Sequence, residues 1–356
     1  MEGVDHNTAL ESLSDAQRLE LAEKLKAESS AGQPLISSVE PIEVLQKEYA
    51  NNDAFLGKIN WLKEQAGFIG IRRAKGDGDC FYRAFAFAFI YKIMTIKDRP
   101  MHHFTVKHVE STLQLLKQAG FDEEVYTDFY EPLKQLMSRM YSTDPETKEL
   151  NEQALLEAMN DPEQSNSIVV YLRLLTSACL KLNADEYTPF LFSLDSASTD
   201  AGPPDMATFC SNQVEAIGKE ADHVQITALS RALKVSLDVA YLSPNQAPPE
   251  TPLDEDFPAE QIQHSTDNDS SSQAKQSSDV SNTAASSSIA VPGAEAEKRR
   301  AAAEHPDRCD IVRFEVEGGQ ITEIGTMLLR PGHYDLLVQA PAPASPEPEI
   351  PAILST

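Results

Sequence analysis

The sequence predicts an α+β domain in which a predominantly helical part is joined to a small, mostly antiparallel sheet. Two observations carry this expectation: apolar residues recur at helical spacing in successive segments from Ile42 to Leu182, and short alternating runs follow from Val235 onward. A hydrophobic content of 41% over 356 residues is enough to bury a sizeable core.

In chain order, residues 1–40 are polar and read as a flexible N-terminal arm with one amphipathic helix. A capping box from Ser14 to Gln17 lies within the stretch where Leu10, Leu13, Leu21 and Leu25 share a face. The folded domain is expected from residue 41, with Pro41 in the first turn of a helix whose apolar positions run from Ile42 to Leu62 and end at Gly67. After a turn at Gly76-Asp77-Gly78, the run Cys80 to Ile96 is apolar nearly all round, which predicts a central buried helix. Further helices are expected through Phe104–Leu116, Val125–Met140, Glu152–Met159 and Ile168–Leu182, broken at Gly120, Pro145 and Pro162.

Val235, Leu237, Val239 and Tyr241 alternate as in a half-buried strand. Residues 243–304 turn to Ser, Pro, Gln, Asp and Ala, too poor in apolar side chains to offset the entropy of ordering, and read as a disordered insertion. Alternation resumes at Val312, Phe314 and Val316, turns at Gly318-Gly319, and continues through Ile321–Leu329 and Tyr334–Val338. The sheet therefore spans the insertion, which loop-closure entropy tolerates because it grows only logarithmically with length. Residues 41–339 form the domain, and 340–356 are a Pro-rich disordered tail.

A formal net charge of −26 argues against nucleic acid as a partner, because phosphate contacts need clustered Lys and Arg, and favours cationic partners instead. No run of 18 apolar residues is present and the first residues carry acids, so neither a membrane nor a secretory signal is expected. The chain is placed in the cytoplasm, with the nucleus also open to it. Cys80, Cys179, Cys210 and Cys309 are scattered without a CxxC pair, which predicts reduced thiols rather than disulfides or a zinc knuckle. His305 and Cys309 have a metal-like spacing but lack a second ligand pair, so no metal and no cofactor is expected.

Two segments carry chemistry. Cys80 follows a Gly-containing turn and opens the buried helix, a position that favours a thiolate and brings backbone N–H groups beside the sulfur. Alone, such a turn more often precedes a core cysteine. In Pro331-Gly332-His333-Tyr334-Asp335, His333 opens a strand and Asp335 falls on the same face. Asp335 can then hold one imidazole nitrogen while the other takes the thiol proton. Alone, a solvated strand-end histidine explains this pattern equally well.

Together the segments resemble the otubains, ubiquitin-specific cysteine proteases of the ovarian-tumour superfamily with a papain-like fold. The nucleophile motif stands as Asp77-Gly78-Asp79-Cys80-Phe81-Tyr82-Arg83-Ala84-Phe85, the C-terminal motif as Arg330 to Asp335, and the stretch Val214–His223 is similar to the segment before the central strands. The resemblance implies Cys80 as nucleophile, His333 as general base and acid, Asp335 as its orienting residue, and Asp77 as an acid that helps shape the oxyanion hole. His223 matches a family position, and helix packing is the expected role. Asp79 departs from the Asn or other neutral residue frequent in the family. A carboxylate about 7 Å from the sulfur would disfavour the thiolate by roughly 0.6 to 2.4 kcal/mol for effective dielectrics of about 80 to 20. Asp79→Asn is therefore expected to leave turnover unchanged or raise it modestly.

The implied activity is hydrolysis of isopeptide bonds at the ubiquitin C-terminus, with a preference for the proteasome-targeting chain linkage. The implied partners are ubiquitin and polyubiquitin chains, with ubiquitin-conjugating enzymes as further candidates, and the chain is expected to be a monomer. A non-catalytic regulator that grips ubiquitin or a conjugating enzyme is the alternative on the same fold, and a thiol acyltransferase is a third reading. The arm from Leu10 to Leu25 is a candidate site for the proximal ubiquitin.

Overall fold

The computed structural model describes residues 32–96, 98–141, 149–194, 205–243, 307–316 and 323–340, with Ser14, Leu21, Lys24, Ser30 and Gly318 as isolated positions. Apart from Ser14, Leu21, Lys24, Ser243 and Ala340, the residues on which the arm helix, the insertion and the tail were expected lie outside that set. The chain forms β1 (Ile36–Pro41), α1 (Glu43–Glu48), α2 (Asp53–Glu64), β2 (Phe68–Ala74), α3 (Cys80–Ile96), α4 (Arg99–Gln118), α5 (Glu123–Arg139), α6 (Glu152–Asn160) and α7 (Pro162–Leu182). It continues through α8 (Ala184–Leu194), α9 (Met206–Phe209) with a π turn over Cys210–Val214, α10 (His223–Leu233), β3 (Leu237–Tyr241), β4 (Asp310–Phe314), β5 (Thr326–Arg330) and β6 (His333–Gln339).

The six strands lie in the order β1-β2-β6-β5-β3-β4, antiparallel except for the β3–β5 pair. Both faces are covered. In β3, β5 and β6 successive residues face opposite apolar clusters: Val239, Met327 and Leu336 join α3 and the helical part, while Ala240, Leu328 and Leu337 pack with α1 and α2. Strand β3 was expected to be half-buried, and burial on its second face explains why Ala240 and Leu242 are apolar too.

Three expectations are corrected at the N-terminal side. The boundary drawn at residue 41 moves back, because Ile36–Pro41 is the edge strand β1 and Pro41 closes it, a place where a missing N–H costs the ladder nothing. The helix expected from Ile42 to Gly67 is two helices, the second restarted by Asn52, whose side chain accepts the Phe55 N–H. Strand β2 was not foreseen. Its alternation is masked by Arg72, a buried arginine paired with Glu152 (2.6 Å) and lying 4.2 Å over the Phe87 ring.

Helix α3 is buried as expected, between the sheet and helices α6 and α7, with Phe81, Phe85, Phe87 and Phe89 all inside. Strands β3 and β4 pair directly, Tyr241 opposite Asp310, so the intervening segment leaves and rejoins the sheet at neighbouring positions.

Candidate active site

The N-terminus of α3 meets the start of β6. Cys80, 1% exposed, is the first helical residue, and the Tyr334 N–H donates to its sulfur at 3.4 Å. His333 stands one residue earlier on β6, opposite Arg330 across the β5–β6 hairpin, whose turn uses Gly332 at φ +67°. His333 Nε2 bonds Asp335 Oδ1 at 2.9 Å, and the Cys80 sulfur is near enough to the ring to raise its pKa as well. With Nε2 on Asp335, Nδ1 is the nitrogen left for the sulfur.

Asp335 is fully buried and shared among three groups. Oδ1 also accepts the Ala74 N–H (3.0 Å), and Arg330 Nη2 lies 2.7 Å from Oδ2 outside hydrogen-bond geometry, so that contact is an ion pair. Arg330 is held in turn by Glu48 (2.6 Å), whose second oxygen takes Arg73 (2.8 Å). Burial opposes charge on Asp335, but the His333 hydrogen bond, the Arg330 and His333 charges and the Ala74 N–H outweigh it and hold the carboxyl below its usual range. Burial would likewise pull His333 down; its hydrogen bond to Asp335, the nearby Cys80 sulfur and the charges of both prevail and raise it to about 9.

The loop before Cys80 is set by two acids and two fully buried arginines. Asp77 Oδ1 accepts the Asp79 N–H (3.0 Å) and Arg83 Nη1 (3.0 Å), while Arg83 also reaches Ser165 (3.3 Å) and Asn166 (3.2 Å). Gly78 sits at φ +91° with its Cα against the Gly218 carbonyl, so a side chain there would meet both strain and backbone.

Asp79 is not a stray charge beside the sulfur. It is 4% exposed, and its Oδ1 accepts Arg173 Nε (2.9 Å), Arg173 Nη2 and the Gly218 N–H (3.2 Å). The guanidinium compensates the carboxylate, which removes the basis for expecting Asp79→Asn to be neutral or beneficial. His223 turns to Tyr241, whose hydroxyl is 2.7 Å from Nε2 and whose ring stacks on it, and burial lowers its pKa.

The structure thus brings Cys80, His333 and Asp335 together, with Asp77 in the adjoining loop and His223 in a separate packing contact. Sequence reasoning missed Arg330, Glu48, Arg83 and Arg173. Arg330 and Arg83 stood inside the quoted motifs without a role. Arg173 had one readable signal, a lone cation in the apolar run YLRLLTSACL, where burial demands a partner.

A model of the otubain peptidases, family C65, matches residues 28–339. The chain is an otubain. Relatives include the Arabidopsis thaliana "OVARIAN TUMOR DOMAIN-containing deubiquitinating enzyme 1", 33% identical over 60% of this chain and 67% of that one. Mouse ubiquitin thioesterase OTUB2 is 33% identical over 58% of this chain and 81% of its own length, and rat ubiquitin thioesterase OTUB1 32% over 62% and 74%. Among solved structures, a ceOTUB1, ubiquitin aldehyde and UBC13~Ub complex superposes with a TM-score of 0.62 at 24% identity, covering 91% of this chain and 100% of that one. An h/ceOTUB1, ubiquitin aldehyde and UBCH5B~Ub complex gives 0.61 at 24%, covering 91% and 97%. These structures share the papain-like α+β fold of this otubain.

Proposed function

We propose that this otubain, a thiol-dependent ubiquitin hydrolase by family, cleaves isopeptide bonds at the ubiquitin C-terminus with Cys80 as nucleophile, and favours the proteasome-targeting linkage. The observation that carries the reading is the convergence of Cys80, His333 and Asp335 beside a cavity of 520 Å³ lined by His333, Tyr334, Leu329, Gln213 and the carboxylates Glu220 and Asp222. An acidic, half-apolar cleft suits the cationic, extended ubiquitin tail, whose terminal Gly-Gly can thread a narrow passage.

In the proposed reaction the Cys80 thiolate adds to the C-terminal glycine carbonyl while His333 carries the proton. The N–H groups of Gly78 and Cys80 stabilise the oxyanion, since those of Asp77 and Asp79 are already bound to Lys75 O (2.9 Å) and Asp77 Oδ1. The C–N bond breaks as His333 protonates the departing lysine amine. Water, deprotonated by His333, then cleaves the thioester and restores the thiol. Asp335 keeps the imidazole in the tautomer and orientation this needs.

Because the leaving amine takes its proton from the imidazolium, turnover should fall on the alkaline side with a midpoint near pH 9. A pH profile of kcat/KM with a ubiquitin C-terminal reporter checks this; a limb near 6.5, the ordinary histidine value, would contradict it. The same shift contributes to stability. A folded-state pKa raised from 6.5 to about 9 stabilises the fold fully below 6.5, and the contribution disappears as pH rises through 9.

Cleavage of a panel of differently linked di-ubiquitins tests the activity and the linkage together, and failure to cut any of them would overturn the reading. We place the proximal ubiquitin on the N-terminal arm. Removing residues 1–27, which leaves β1 intact, should raise KM for the preferred di-ubiquitin and leave the single-ubiquitin reporter unaffected. Equal losses on both substrates would make the arm part of the domain's packing instead.

The solved neighbours are complexes containing UBC13~Ub or UBCH5B~Ub. They support a second role for this otubain as a partner of ubiquitin-conjugating enzymes. Inhibition of a charged conjugating enzyme that persists in Cys80→Ala is the expected sign of that role.

A further inference from the structure

We infer that Arg173, with Asp79, is a positioning residue that locks the nucleophile loop into its oxyanion-binding conformation before any substrate arrives. The inference rests on the reading of Cys80 as nucleophile and adds to it a group that touches neither substrate nor sulfur.

Arg173 lies in the middle of α7 and is 0% exposed. An arginine there must spend its donors inside the protein, and each identified acceptor belongs to one of two loops. Nε and Nη2 bind Asp79 Oδ1, Nη2 also reaches Gly78 O (3.1 Å) and Lys219 O (2.6 Å), and Nη1 binds Val214 O (2.9 Å). The guanidinium carbon sits 4.4 Å over the Tyr82 ring, in the first turn of the helix that Cys80 opens. The loop 214–219 is pinned from its other side too: Glu215 Oε1 accepts Ser177 Oγ and Lys181 Nζ, both at 2.6 Å.

The consequence falls on one peptide plane. The Gly78–Asp79 amide is held at its oxygen by Arg173 Nη2 and at its N–H by Asp77 Oδ1, which Arg83 fixes in turn. A glycine at φ +91° gives the chain little intrinsic resistance to flipping that plane. A flip would turn the Gly78 carbonyl toward the Asp77 carboxylate and release the Asp79 N–H from it, undoing the turn that sets the neighbouring Gly78 and Cys80 N–H groups on the oxyanion. With both ends tethered, the carbonyl points into the Arg173 fork and away from the reacting carbon. The charge on Asp79 also has its use here, since its Oδ1 accepts both Nε and Nη2 of the guanidinium and the carboxylate compensates that cation in a buried site.

A structural residue and a positioning residue differ in what they move. Alkylation of Cys80 by iodoacetamide builds no oxyanion, whereas acylation by a ubiquitin C-terminal reporter does. Arg173→Met should therefore lower reporter kcat by about 10- to 100-fold, less than the roughly 100- to 1,000-fold loss of a removed oxyanion donor because the donors themselves remain. KM and the iodoacetamide rate should stay within about threefold, because the sulfur, His333 and Asp335 are untouched. Arg173→Lys, with one ammonium in place of a fork, should restore little of the loss. Should Arg173→Met fail to fold, Asp79→Asn keeps an oxygen facing the Gly218 N–H and should show the same split at smaller amplitude. A folded variant with wild-type kcat, or one in which turnover and alkylation fall together, overturns the inference. Turnover that survives Cys80→Ser would instead remove the nucleophile assignment, and the lock with it.

Discussion

Cys80→Ala is expected to abolish di-ubiquitin cleavage, with a loss of at least about 10,000-fold in kcat, because no neighbouring group can replace the sulfur as nucleophile. The substitution removes one buried atom and its contact with the Tyr334 N–H, a cost on the order of 1 kcal/mol, so the fold should survive. Ubiquitin binding should survive as well, since the lining of the acidic cavity is unchanged. The decisive comparison is gel-resolved di-ubiquitin cleavage alongside binding of mono-ubiquitin to the same variant. Cleavage by a well-folded Cys80→Ala protein would require another nucleophile. Among the described residues the other cysteines do not offer one: burial pushes Cys179 and Cys210 up to about 11 and Cys309 to about 12.

Asp335→Asn should be nearly as damaging, lowering kcat by roughly 100- to 10,000-fold with little change in KM. The replacement is isosteric, but its amide can present N–H where His333 needs an acceptor, which sets the imidazole to the wrong tautomer. It also removes the negative charge that supports the imidazolium, so residual activity should show its alkaline limb below pH 9. Arg330 keeps Glu48 at 2.6 Å as a counter-charge, so this variant should fold and permit the measurement. Retention of wild-type kcat with an unshifted limb would mean that Asp335 supports β6 rather than the chemistry.

Much of this protein could be read along the chain because the signals are local. A run of apolar residues on every side of Cys80–Ile96 can only be a buried helix, and the alternation of β3 and β6 could only be strands. The motifs around Cys80 and His333 brought the family with them, as the match over residues 28–339 shows. Expectation failed where a charged side chain interrupts an apolar pattern. Arg72 hid β2, and Asp79 looked like a liability to the thiolate.

The sequence by itself determined the succession of helices from Cys80 to Leu182, the two chemical segments and the family. Only the tertiary structure decided what Asp79, Arg173, Arg330 and Glu48 do, because each is defined by a partner distant in the chain: Asp79 with Arg173 across 94 positions, Arg330 with Glu48 across 282. An ionic side chain carries no trace in sequence of whether it ends in water or in a buried pair. That choice depends on burial, which the packing of α7 against the nucleophile loop and of α1 against the β5–β6 hairpin settles by removing the solvent that would otherwise screen the charge.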